Sequence, residues 1–297
     1  MSFKPIYKLR DWINPELIVP YNLSCNPKAI YIIEKILDKV DWRLLSQNSG
    51  AIHILEQNLD KVDWSFLSFL PEAIHIIEKN LNKINWWGLS TNSAAIHLLE
   101  KNLDKVDWIC LSSNPSAVHL IENNLDKVNL CYLSQNPGAI HIVEKNLDKV
   151  DWVTLSLNLC AIHILEKNLD KVDWYSLSEN PGAIHILEKN LDKVNWVALS
   201  ENPEAMHLIE QNLDKVDWVG LSENPSAIHL LEKNQDKINW SQLSQNPEIF
   251  VLDKDAMRQQ IDNGFAEEMI AAALHPRHFA RNLIKYGYDI CLNEYVD

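Results

Sequence analysis

The chain predicts an all-α solenoid, and three observations carry that expectation. A block of twenty-two residues recurs without a gap, opening at Leu23, Leu45, Leu67, Leu89, Leu111, Leu133, Leu155, Leu177, Leu199 and Leu221, with a partial block from Leu243. A fixed period of this size marks a repeat array. Each block holds two helix starts. The composition fits too: hydrophobic residues make up 46%, there are only seven glycines, and no strand-like alternation stands out. A length of 297 residues would ordinarily suggest two domains, but the repeat points to one elongated domain.

Within a block, LSENPGAIHILEKNLDKVNWVA from Leu177 shows the logic. Asn180 is a strong N-cap, and Pro181 suits the first helical position, where its missing N–H has no helical partner anyway. A longer helix is expected over residues 181–190. Ala183, Ile184, Ile186, Leu187 and Leu191 fall on one arc of it, and His185, Glu188 and Lys189 on the other side. Asn195 caps a short helix from Trp196 through Leu199, and Val194, Trp196 and Leu199 complete the apolar set. One block buries too little to offset its own ordering, so each must stack on its neighbours. Ten stacked blocks are expected to form a rod on the order of 100 Å long.

Residues 1–22 are expected to form an N-terminal cap, in which residues 16–22 align with 38–44 and Pro20 takes the Trp column. Residues 23–248 form the array of ten full repeats plus the partial one. Residues 249–297 are expected to form a helical C-terminal cap, with helices over 253–262, 265–274 and 276–286.

Net charge is −14, which disfavours nucleic acid as a partner. The five cysteines fall in different repeat columns and suggest neither disulfides nor a metal site. No signal-peptide segment and no membrane span is expected, so the protein is read as not secreted and not membrane-bound.

The motif Leu-Ser-x-Asn-Pro-x-Ala-Ile-x-Leu-Leu-Glu-x-Asn-x-Asp-Lys-Val-Asp-Trp resembles a repeat encoded in many copies by giant DNA viruses of amoebae, the mimivirus-like group. The ending is similar as well, with Phe265 to Glu268, then His275-Pro276-Arg277, then Tyr286-Gly287-Tyr288-Asp289. The resemblance implies a viral protein acting in host cytoplasm or carried in the virion. It brings no catalytic residue with it.

Nothing in the chain resembles a nucleophile–base set, a phosphate-binding glycine loop or a metal signature, so neither an enzyme nor a cofactor is expected. The tryptophan column (Trp42, Trp64, Trp86, Trp108, Trp152, Trp174, Trp196, Trp218, Trp240) reads as core. The histidine column from His53 to His229 reads as structural, with a pH sensor as the alternative. The Glu and Lys columns read as a solvated face with possible inter-block ladders. The two residues after each Trp, and the one after each Ser, vary from block to block and should form a continuous strip. Phe66, Phe69, Trp87, Tyr132, Leu157 and Tyr175 on that strip are the candidate protein-binding residues. Arg277, Arg281 and Lys285, spaced four apart, form a candidate basic stripe. The expected function is a non-catalytic scaffold for protein–protein interaction, monomeric or self-associating end to end. The alternative is a structural component of a virus particle.

Overall fold

The computed structural model describes residues 5–260. It is an all-α repeat array in which short helices pack in regular series. The chain separates into two compact units, one spanning Leu9–Phe250 and the other combining Met1–Lys8 with Val251–Asp297. Two three-residue strands, β1 (Tyr7–Leu9) and β2 (Phe250–Leu252), pair with each other and were not foreseen. The helix expected over 253–262 is found at Lys254–Gln260. The two later helices and the Arg277, Arg281, Lys285 stripe lie outside the described residues.

The longer helix of a block is shorter than expected, and the short Trp helix is longer. The span 181–190 is a 3-10 turn, Pro181–Ala183, followed by an α-helix, Ile184–Glu188. The change of pitch falls at Ala183, whose φ of −94° and ψ of 4° break the α-helical run. The Trp helix of the same block runs from Trp196 to Glu201, so the two helices are of similar length. Asn180 accepts from Gly182 N, and Asn195 accepts from Ala198 N, as the cap assignments require.

The core follows the constant apolar columns. The Leu that opens each block, the Ala that ends the Pro turn and the second residue of pairs such as Ile76–Ile77 and Ile186–Leu187 are buried. The Leu191 column is an exception to the helical wheel. Leu81, Leu103, Leu125, Leu191 and Leu213 are exposed, because the helix ends before reaching them.

The constant polar columns tie one block to the next, from inside the core. Ser46 and Asn48 are buried along with the Ser and Asn of the other blocks, Leu70 alone standing in the Asn column. Ser46 Oγ donates to Trp42 O at 2.7 Å and accepts from Asp63 N at 3.0 Å. Asn48 Oδ1 caps its own turn through Gly50 N at 3.0 Å. Its Nδ2 donates to Ser24 O at 2.9 Å and Asn26 O at 3.1 Å in the preceding block. The pattern recurs at Asn114, Asn136 and Asn224. A buried polar group is tolerable only when bonded, so these ladders hold the register of the stack.

The same ladders overturn the rod. Asn26, in the first block, makes its bonds to Ser244 O at 3.3 Å and Asn246 O at 3.0 Å, in the last. Val19 N donates to Ser244 Oγ at 2.9 Å, just as Asp41 N donates to Ser24 Oγ at 3.0 Å. Asn22 Nδ2 reaches Ser241 Oγ at 2.7 Å. Outside these ladders, Arg10 Nε donates to Glu248 O at 2.6 Å and Lys28 Nζ meets Glu248 Oε1 at 2.6 Å. The unit Leu9–Phe250 therefore closes on itself as a ring. Residues 20–22, assigned above to an N-terminal cap, form with Leu23 the helix Pro20–Leu23, which takes the place of a Trp helix and completes a circle of eleven. The physical reason is accumulated rotation: a small, constant turn per block brings the first block against the last.

Candidate functional site

Successive Trp helices from Trp152–Leu157 to Trp240–Leu243 pack directly on one another, whereas the Ile helices of neighbouring blocks meet mainly through the Pro turns before them. In a closed ring, the layer with the closer spacing lies at the smaller radius. The Trp helices therefore form the inner wall. Their constant Leu and Ser face the other layer, and their opposite face is bare.

That bare face contains the variable columns, but not all of them equally. The first residue after Trp is exposed along the array, and Trp87 is 51%, Ile109 46%, Val153 50%, Tyr175 49% and Val219 44% accessible. The residue after Ser lies four positions on, over the same face. The second residue after Trp behaves differently. Cys110, Ser176, Ala198 and Gly220 are buried, because this position points at the preceding block. A Cβ on Gly220 would stand 2.9 Å from Glu201 Cγ, and one on Gly88 would stand 3.1 Å from the Phe69 ring. The strip is thus narrower than the sequence suggested.

The proposed binding residues divide accordingly. Trp87, Tyr132 and Tyr175 are exposed, while Phe66, Phe69 and Leu157 are half-buried. Phe69 meets Trp87 edge-on, with ring centroids 4.9 Å apart. Arg43 covers Phe66 at 4.7 Å from its centroid. Phe69 and Trp87 thus form one aromatic pair, while Phe66 lies under Arg43. Tyr132, Leu157 and Tyr175 stand on separate helices further round.

The other end of the face is acidic. Glu179, Glu201 and Glu223 occupy the same column on successive helices and line a cleft of about 290 Å³ with Gly220, Asn224 and Pro225. Partial burial, reinforced by Glu179, Glu223 and Asp217, pushes the Glu201 carboxyl above the usual range. The sequence places Glu179 and Glu201 on the variable strip but does not single them out as binding residues, because each by itself is an ordinary surface residue.

The tryptophan column is not core. All nine indoles are half-buried. In eight blocks the Lys nineteen residues on lies over the ring, 4.6–5.1 Å from its centroid. The indole seals the groove between blocks with one edge in solvent, and the cation on its face contributes about 0.5–1 kcal/mol.

The histidines also pair across blocks. Each from His53 to His229 bonds through Nε2 to the Glu nineteen residues earlier, at 2.6–2.9 Å. The helix neighbours considered above, Glu three on and Lys four on, are not the partners. Half-exposed pairs of this kind are worth about 0–1 kcal/mol each. Cys110, beside Asp107, is held by burial as a neutral thiol, its pKa pushed up to about 12.

No family model, curated protein or solved structure matches the chain. Among the described residues, no three His, Cys, Asp or Glu side chains are placed to hold a metal ion, and no helix is long and apolar enough to cross a membrane.

Proposed function

We propose that the protein is a non-catalytic repeat scaffold that binds another protein through the inner face of its Trp helices. The carrying observation is the row of exposed apolar side chains there, among them Trp87, Ile109, Tyr132, Val153 and Tyr175, on a framework whose constant residues are already satisfied. Exposed aromatics on a rigid support suit the anchor residues of interfaces. In keeping with the resemblance to repeats of giant amoebal viruses, the setting is a viral one and the partner a host or viral protein. Closure removes the open ends that end-to-end stacking would need, which weighs against a polymerised particle component.

The test compares capture from amoebal lysate by the wild-type chain and by Trp87→Ser/Tyr175→Ser, after size-exclusion and circular dichroism show both folded. A specific set of proteins should be held by the wild type and weakened about thirtyfold in the variant, as for loss of an anchor residue. Identical capture by the two proteins would remove the reading.

A further inference from the structure

The inner face is chemically unequal around the ring. On the helices Trp174–Glu179, Trp196–Glu201 and Trp218–Glu223, the same pair recurs: Tyr175 with Glu179, Val197 with Glu201, Val219 with Glu223. Members of each pair are four residues apart, so each helix presents one exposed apolar group and one carboxylate side by side. Tyr175 and Val197 are each 49% accessible. The buried Ser176, Ala198 and Gly220 let these three helices pack directly, so the pairs form two parallel rows.

The three carboxylates differ from the glutamates of the histidine column. Glu166, Glu188 and Glu210 each hold a histidine. Glu179, Glu201 and Glu223 have no ion-pair partner among the described residues and repel one another across the cleft. Unpaired like charges beside bare apolar groups oppose folding, and such a cost is typical of surfaces kept for a partner. Charge complementarity then defines the occupant. The carboxylates are not placed to share a metal ion, so their counter-charges must be separate cations, one per block. Blocks packed roughly 8–10 Å apart match basic residues about seven apart on a helix, a rise of about 10.5 Å.

We propose that this arc binds a basic amphipathic helix of a partner protein, with Lys or Arg on Glu179, Glu201 and Glu223 and aliphatic side chains on Tyr175, Val197 and Val219. The assignment rests on the scaffold reading above and names the chemistry of the partner.

The experiment uses the full chain and a fluorescent helical peptide with Arg repeated every seven residues beside Leu, read by anisotropy at low salt. A second peptide carries Glu in place of Arg. The basic peptide should bind and the acidic one should not. Glu179→Gln/Glu201→Gln/Glu223→Gln should weaken binding about tenfold or more, and raised salt should do the same. Val197→Ser/Val219→Ser should weaken it at unchanged net charge. Asp192→Asn/Asp214→Asn/Asp236→Asn, which removes equal charge outside the arc, should leave it nearly unchanged. Equal binding of both peptides, equal loss in the Asp and Glu variants, or no binding by the wild type would each overturn the proposal. If the basic peptide fails while capture through Trp87 and Tyr175 persists, only this assignment falls. If both fail, the scaffold reading falls with it.

Discussion

Asn48 shows how one residue serves two structures. Its carbonyl oxygen caps its own turn, and its amide hydrogens hold the carbonyls of the block before. The block opening at Leu67 lacks this device, because Leu70 stands in the Asn column and its turn has no side-chain cap. Leu70→Asn should therefore cap Glu72 N, donate to Ser46 O and raise stability by about 1 kcal/mol, measured by urea denaturation. No gain would mean that the ladder contributes little. Glu201 gives a pH-dependent expectation. Its folded-state pKa is raised, first by burial and then by Glu179, Glu223 and Asp217. Stability at this site is therefore full below the ordinary Glu value of about 4.3 and is lost as pH rises through the raised value. Glu201→Gln should melt higher than the wild type at pH 7, and the difference should shrink toward about pH 4. A difference that grows on acidification would contradict the assigned sign.

At the scale of the element, the second residue after Trp varies along with the length of the inner helix, and the small, buried Cys110 falls between the extremes with a helix of five. Where it is small, as Gly88, Ser176, Ala198 or Gly220, the helix runs for six residues. Where it is Leu44, Phe66 or Tyr132, the helix stops after four. At the buried positions there is little room for a larger side chain, since even a Cβ on Gly220 would stand 2.9 Å from Glu201 Cγ in the preceding block. Ala198→Phe should accordingly cost about 1–3 kcal/mol by overpacking and lower the helical signal in circular dichroism. A neutral effect would show that this column is free after all. These elements were partly legible in the sequence. The caps at Asn180 and Asn195 and the fully buried Leu177 and Ala183 follow from local rules. The early stop before Leu191 and the half-buried Trp196 do not. Apolar character alone cannot distinguish a core ring from one that seals a groove under Lys215, a contact set by the stacking of two blocks.

For the whole ring unit, the constant residues bond block to block until the last meets the first, and the variable residues are left on the inner wall. A hint of closure was present, since Pro20 falls in the Trp column and Ile18 in the buried Val column. The decision itself lies in the rotation per block, a small angle that no single repeat displays and that eleven of them sum to a full turn. The seam differs from the other junctions. Tyr31 replaces His and Pro20 replaces Trp, so neither the His–Glu nor the Lys–Trp contact forms there, and Glu248 bonded to Lys28 and Arg10 stands in for them. The most direct measurement is an engineered disulfide across this seam, Asn22→Cys with Ser241→Cys, with the exposed Cys131 and Cys160 changed to Ser. Oxidation should form an intramolecular bridge in the monomer, identified by peptide mass spectrometry, because Asn22 and Ser241 side chains lie 2.7 Å apart. An open array would leave both thiols free or link them only between molecules, and that result would contradict the ring.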